Sequence, residues 1–192
     1  GVESPSGKLP VTFPRVVGQV PIYYAHRNTG KPPLPGMFVH IDDIKVRTSQ
    51  TGLKNKSWYL DAGYEPLYPF GYGLSYTSFA YSDVKVTPSR ARVGAPVTVS
   101  AVVTNVGKVA ADEVAQLYVQ DLVGSITRPV RELKGFRLLH RNPGESREVS
   151  FQLSADDLAF YGRNMARTTE PGAFHAWIGG SSTADLRADF EL

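Results

Sequence analysis

The chain has 192 residues, 42% of them hydrophobic and 20% charged, the balance of a folded protein and not of a disordered one. Its net charge of +3 includes no run of Lys or Arg long enough for a nucleic-acid stripe, so no nucleic-acid partner is expected. Cysteine is absent, which excludes disulfides, zinc–thiolate sites and a Cys nucleophile, and no apolar run approaches the roughly 18–20 residues of a membrane span.

The chain starts Gly1-Val2-Glu3-Ser4-Pro5 without an initiator Met. A native N-terminus further upstream is therefore expected, and the lack of a leader here says nothing about export. Residues 1 to about 68 are proline-rich and weakly periodic. Leu9–Pro14 is a short extended piece between prolines, which fix φ and remove donors, and Val20–Tyr24 is a second. Lys31–Gly36 is a stiff loop, and Met37–Val46 reads as a strand pair or an irregular excursion. Nothing in this part forms a core of its own, so it looks like the tail of a domain whose body lies elsewhere.

From Phe79 the pattern changes to repeated short strands. The first, Phe79–Val86, shifts phase near Asp83, which predicts a bulge. Val97, Val99, Ala101 and Val103 alternate with Thr98, Ser100, Val102 and Thr104, a period of two that marks a strand with one buried face. Asn105-Val106-Gly107 ends it, with Gly107 expected to use its freedom at φ > 0. Ala115, Leu117 and Val119 alternate with Gln116, Tyr118 and Gln120, and Leu133–Arg141 forms a further strand. Val149, Phe151 and Leu153 follow, then Phe174, Ala176 and Ile178, then Leu186 to Leu192. Turn signals at Pro88-Ser89, Gly94-Ala95-Pro96, Asn142-Pro143-Gly144 and Pro171-Gly172 separate them. One helical turn is predicted at Ser154–Leu158, with Ser154 as cap and Asp156 and Asp157 at its positive end. About seven short strands and almost no helix predict a mainly β, immunoglobulin-like antiparallel sandwich.

Chemistry is harder to find. Glycoside hydrolysis uses two carboxylates about 5–9 Å apart across the scissile bond. Asp42-Asp43, Asp112-Glu113 and Asp156-Asp157 are sequence neighbours, and neighbours on a strand point to opposite faces. Asp61 and Glu65, which flank an aromatic stretch, are the better cleft candidates. Gly73-Leu74-Ser75-Tyr76-Thr77 does not complete a serine elbow, and no Lys-Ser/Thr follows Gly71 and Gly73 to make a phosphate loop. His26, His40, His140 and His175 are scattered, without ligand spacing, so no metal and no cofactor are expected. His175 is expected to face outward from its strand. Eight aromatics crowd residues 58–79, suited either to interdomain packing or to stacking on sugar. Trp58, Tyr59 and Asp61 are the candidate substrate-binding residues.

Pro66-Leu67-Tyr68-Pro69-Phe70-Gly71-Tyr72-Gly73-Leu74-Ser75-Tyr76-Thr77 resembles the linker of family 3 glycoside hydrolases of the β-glucosidase type. Upstream, Pro5–Pro14 resembles the end of that family's α/β-sandwich domain. Downstream, Val103–Gly107, Gln116–Val119, Arg128–Phe136 and Asn142–Glu145 resemble its fibronectin-III-like domain, in the same order. The resemblance implies residues 1–65 as the tail of the α/β domain with an extended loop, 66–78 as linker and 79–192 as the sandwich. The stretch from Met37 to Tyr59 is longer than in common members and reads as an insertion.

The same resemblance implies a retaining exo-acting parent, periplasmic or secreted, that removes terminal β-D-glucosyl residues. Its aspartate nucleophile would lie on an N-terminal barrel and its glutamate acid/base on the second domain. No residue here matches either, so no catalytic residue is assigned and the isolated chain is expected to be inactive. The implied partners are the barrel and α/β domain of the parent, with β-glucosides or oligosaccharides and a second subunit of a homodimer also compatible, and no membrane. The expected role is a scaffold for the catalytic domains. The other reading is an independent carbohydrate- or cell-wall-binding module, for which Trp58 and Trp177 would be the platforms.

Overall fold

Alternating β-branched residues give the strands their two faces, and one face of each meets in a single core. The computed structural model describes residues 2–33, 38–48 and 59–192. The strands are β1 (Phe79–Thr87), β2 (Val97–Asn105), β3 (Ala111–Asp121), β4 (Glu132–Arg141), β5 (Ser146–Leu153), β6 (Phe160–Tyr161), β7 (Arg167–Thr168), β8 (Ala173–Gly179) and β9 (Arg187–Glu191). They form a three-stranded antiparallel sheet in the order β1-β2-β5 and a four-stranded one in the order β4-β3-β8-β9. This is the predicted sandwich, with the seven expected strands. A small β6-β7 hairpin is added, its strands too short to leave a period.

The core is built from the expected inward sets. Val97, Val99, Ala101 and Val103 of β2 and Val149, Phe151 and Leu153 of β5 face Ala115, Leu117, Val119, Phe174, Ala176 and Ile178. Phe174 and Phe190 are register partners and stack with centroids 4.9 Å apart. Gly135 of β4 lets the two sheets approach, since a Cβ there would stand 2.9 Å from the Phe151 ring. The β1–β2 register shifts between Ser82 and Lys85, and Asp83 has φ +53°, which is the predicted bulge. The predicted helical turn is α1 (Ala155–Leu158). Ser154 accepts from the Asp157 N–H, Asp157 accepts in return from the Ser154 N–H at 2.7 Å, and Leu158 closes the core.

One detail differs from expectation. Gly107 is not in the left-handed region: its glycine is needed because a Cβ would collide with the Thr77 hydroxyl and stand 3.0 Å from Ser78 N. Of the two readings for the stretch from Met37 to Val46, residues 38–48 follow the irregular excursion and not the strand pair. Their only regular element is a 3-10 turn at Ile41–Asp43.

Candidate functional site

The outer face of the four-stranded sheet is covered. Gln116 and Tyr118 of β3 and Trp177 of β8 alternate with core residues, so a lone sandwich would turn them to water, yet all three are buried. The cover is a layer made by the residues before Phe79. Its frame is an antiparallel pairing of residues 9–13 with residues 67–72: Leu9 N–H donates to Tyr72 O at 2.8 Å, Gly71 N–H to Leu9 O at 2.8 Å and Phe13 N–H to Tyr68 O at 2.9 Å.

Aromatics and glycines of this layer carry the contact. Phe70 stacks on Tyr24 at 4.3 Å, and Tyr24 meets Tyr118 edge-on at 5.7 Å. The Tyr24 hydroxyl accepts from the Leu133 N–H at 3.3 Å, tying the layer to β4. Gln116 Nε2 donates to Gly71 O at 3.1 Å and to Gly180 O at 2.7 Å, while its oxygen accepts from the Tyr118 hydroxyl at 2.5 Å. Burial and the neighbouring Tyr24 push the Tyr118 phenol above its ordinary value. Gly71 has φ +78°, and a Cβ on it would collide with the Gln116 amide, so only glycine fits. A Cβ on Gly73 would stand 2.5 Å from Gly7 O. Gly71 and Gly73 therefore serve close packing of this layer.

Two part-buried cations complete the joint. The Arg131 guanidinium lies 4.2 Å over the Trp177 ring and donates to the carbonyls of Ser182 and Ala184. Lys8 Nζ lies 2.9 Å from Glu113 Oε1, which also accepts from the Tyr81 hydroxyl at 2.9 Å. Burial, with the Glu113 charge beside it, pushes the Tyr81 phenol far up.

Asp112 and Glu113 are separated as strand geometry predicts, and the carboxylates of 112–113 and 156–157 each have a structural partner. Asp112 pairs with His140 at 2.8 Å while Glu113 turns inward to Lys8. Asp156 pairs with Arg167 and Asp157 caps α1. Among the described residues no cluster of His, Asp and Glu could hold a metal ion. His175 faces away from the core and lies 2.7 Å from the Asp189 carboxylate.

Of the candidate substrate-binding residues, Trp58 lies outside the described residues. Tyr59 and Asp61 share an exposed turn closed by two hydrogen bonds between Tyr59 and Gly63. The half-exposed Tyr59 ring lines a shallow groove with Ile22, Thr29 and Tyr64, and Asp61 is outside that lining. Glu65 is exposed beside Arg15, at 3.7 Å. The residues that sequence reasoning missed are Lys8, Tyr24, Glu113 and Arg131. The available signal was the apolar character of Tyr118 and Trp177 at positions a lone sandwich would expose.

Residues 113–182 match the family described as the fibronectin type III-like domain. The chain carries that domain. Its whole length is similar to part of larger enzymes. It is 43% identical over 192 residues to the periplasmic β-glucosidase of Salmonella typhimurium, covering 100% of this chain and 23% of that protein. A β-xylosidase of Formosa agariphila is 39% identical over 96% of this chain and 23% of its own length. The crystal structure of a β-glucosidase from Listeria innocua in complex with gluconolactone superposes with a TM-score of 0.84 at 35% identity, covering 100% of this chain and 24% of that one. The chain thus spans about a quarter of the length of the relatives it matches. It corresponds to the segment of family 3 glycoside hydrolases that carries the fibronectin type III-like domain, as the linker resemblance implied.

Proposed function

We propose that this chain is the non-catalytic C-terminal portion of a retaining, exo-acting β-glucosidase and acts as a scaffold for its catalytic domains. In this reading residues 1–65 are the tail of the parent's α/β domain, 66–78 the linker and 79–192 the sandwich. The observation that carries it is the joint between the linker and the four-stranded sheet, where Tyr24, Phe70 and Gly71 close over Gln116 and Tyr118. Burying large side chains contributes about 1.5–3 kcal/mol each, so this joint makes the sandwich an anchor for whatever precedes it. The structural partners of Asp112, Glu113, Asp156 and Asp157 support the lack of an acid–nucleophile pair at those positions. The periplasmic relative supports a parent that is periplasmic or secreted.

The test is deletion of Phe79–Leu192 from the parent. A lower melting temperature or lower solubility is expected, and unchanged values would overturn the scaffold. Release of nitrophenol from an aryl β-glucoside by the full-length parent, but not by this chain, checks the division of labour. An aryl β-xyloside run beside it tests the sugar, since one relative is a β-xylosidase.

A sugar contact by Tyr59 and Asp61 is a second reading, favoured by the half-exposed Tyr59 ring. Calorimetry of the chain with β-glucans tests it, and no heat would argue against it. Trp177 makes a poor platform for an independent binding module, because Arg131 covers its ring.

A further inference from the structure

Arg27 and Arg163 belong to different parts of the fold, yet they open on one groove. It is lined by the β3–β4 loop, by Arg27 and Asn28 of the layer before Phe79, and by Arg163 of the β6–β7 turn. Each part is held in place. Arg27 bridges Pro129, and His26 O accepts from the Val130 N–H at 2.9 Å. The Gly162 N–H donates to Ala166 O at 3.0 Å and closes the β6–β7 turn. In the loop, Asp121 accepts from the Val123 N–H at 3.2 Å, while Arg128 donates to Glu132 at 2.8 Å and lies 4.3 Å over the Phe160 ring.

The charge of this lining does not balance. It holds three arginines and one carboxylate. Asp121 and Glu132 offset Arg128, at 3.8 and 2.8 Å. Glu170 lies outside the lining and accepts from the Ser125 N–H at 2.8 Å. The guanidiniums of Arg27 and Arg163 have no partner among the described residues, and neither do the Gln120 amide, the Thr127 hydroxyl and Asn28 Nδ2. Free planar cations beside free amides and a hydroxyl suit an anion that also carries hydroxyl groups. A covering protein surface accounts for them only if it brings carboxylates of its own, because burying an unpaired guanidinium is costly.

We infer that this groove binds an acidic saccharide, the carboxylate of a uronic acid residue being taken by Arg27 and Arg163 and its ring hydroxyls by Gln120, Thr127 and Asn28. The lining shares no residue with the joint over Gln116 and Tyr118, so the site stands or falls independently of the scaffold role.

Calorimetry at low ionic strength tests this, with a tetrasaccharide alternating glucose and glucuronate and its carboxyl-reduced, all-glucose counterpart. The acidic form should bind about tenfold tighter or more, and should weaken as added salt screens the arginines. Arg27→Gln and Arg163→Gln should each lower its affinity about tenfold, while Arg92→Gln, at an exposed arginine outside the groove, should leave it unchanged. Arg27 and Arg163 are exposed, so both variants should keep the melting temperature of the chain. No binding, equal binding of the two saccharides, or undiminished affinity in the Arg27 and Arg163 variants overturns the inference. Inorganic phosphate or tetraglutamate binding as tightly as the acidic saccharide also overturns it, since the groove would then take any anion. The same titration of the full-length parent should keep the difference between the unsubstituted protein and Arg163→Gln. Loss of that difference would mean that the rest of the polypeptide covers the groove, and the site would fall.

Discussion

Gly71 and Gln116 pack so closely that Gly71 has no room for a side chain: Gln116 Nε2 donates to Gly71 O at 3.1 Å, and a Cβ on Gly71 would strike the same amide. The left-handed φ of Gly71 adds to the demand. Gly71→Ala is therefore expected to cost about 2–3 kcal/mol, from strain at positive φ and from displacement of the segment around it. Urea denaturation measures the loss, and proteolysis should open the segment before Phe79 first. Gly73→Ala, which meets Gly7 O at 2.5 Å but without a left-handed φ, should act in the same direction.

Lys8 and Glu113 are the longest-range ion pair described, joining residues 105 apart in sequence, with side chains 16% and 7% exposed. Removing one partner leaves a buried charge. Lys8→Met should cost about 3–5 kcal/mol, and so should Glu113→Leu. The double variant should lose much less than the sum, because two apolar groups replace a pair whose desolvation offsets its attraction. A double-mutant cycle by thermal or urea unfolding reads the coupling. Additive losses would mean that the pair is not a unit.

The sandwich itself was legible, and its joint to the preceding layer was not. Alternation at Val97–Val103 or Phe174–Ile178 names the face turned to the core, and the phase slip at Asp83 names a bulge. The same alternation says only that Gln116, Tyr118 and Trp177 share the other face. Whether water or a second layer lies on that face depends on contacts between residues far apart in sequence, such as Tyr24 with Tyr118 or Lys8 with Glu113. No local period encodes those contacts. Gly107 illustrates the limit at a single position. Its glycine could be read as backbone freedom, and its cause is the nearness of Thr77, thirty positions upstream. The adjacent carboxylates were the reverse case, since strand geometry alone sets Asp112 and Glu113 on opposite faces.

Acid should destabilise the chain. Hydrogen bonds from Ser154 hold the Asp157 carboxyl below its ordinary value, those from Ser125 do the same for Glu170, and the Asn142 N–H does so for Glu145. Groups depressed in the folded state stabilise it above their unfolded values, and that contribution disappears as pH falls through the lower folded values. Burial raises the Asp121 carboxyl, which carries the opposite sign: its contribution is present in acid and is lost as pH rises through its raised value. Three groups oppose one, so melting temperature should fall on acidification below about pH 4. Asp157→Asn should flatten that fall and Asp121→Asn should steepen it. A melting temperature that holds level down to pH 2 would contradict the assignment.

Arg131 offers a spectroscopic check on the covered face. Its guanidinium lies 4.2 Å over Trp177, and it donates to the carbonyls of Ser182 and Ala184. Burial lowers its ordinary value, yet an arginine stays charged, so the stack is a permanent cation–π contact. Arg131→Ala should remove this contact and leave both carbonyls short of a donor, at a cost of about 2–3 kcal/mol. Arg131→Lys keeps the charge but not the planar fork, and should recover less than half of that loss. With Trp58 replaced by Phe, Trp177 is the only tryptophan left of the two in the chain. Its emission should shift to the red in both Arg131 variants as water reaches the ring. Unshifted emission in Arg131→Ala would mean that the layer itself, and not the guanidinium, keeps Trp177 dry.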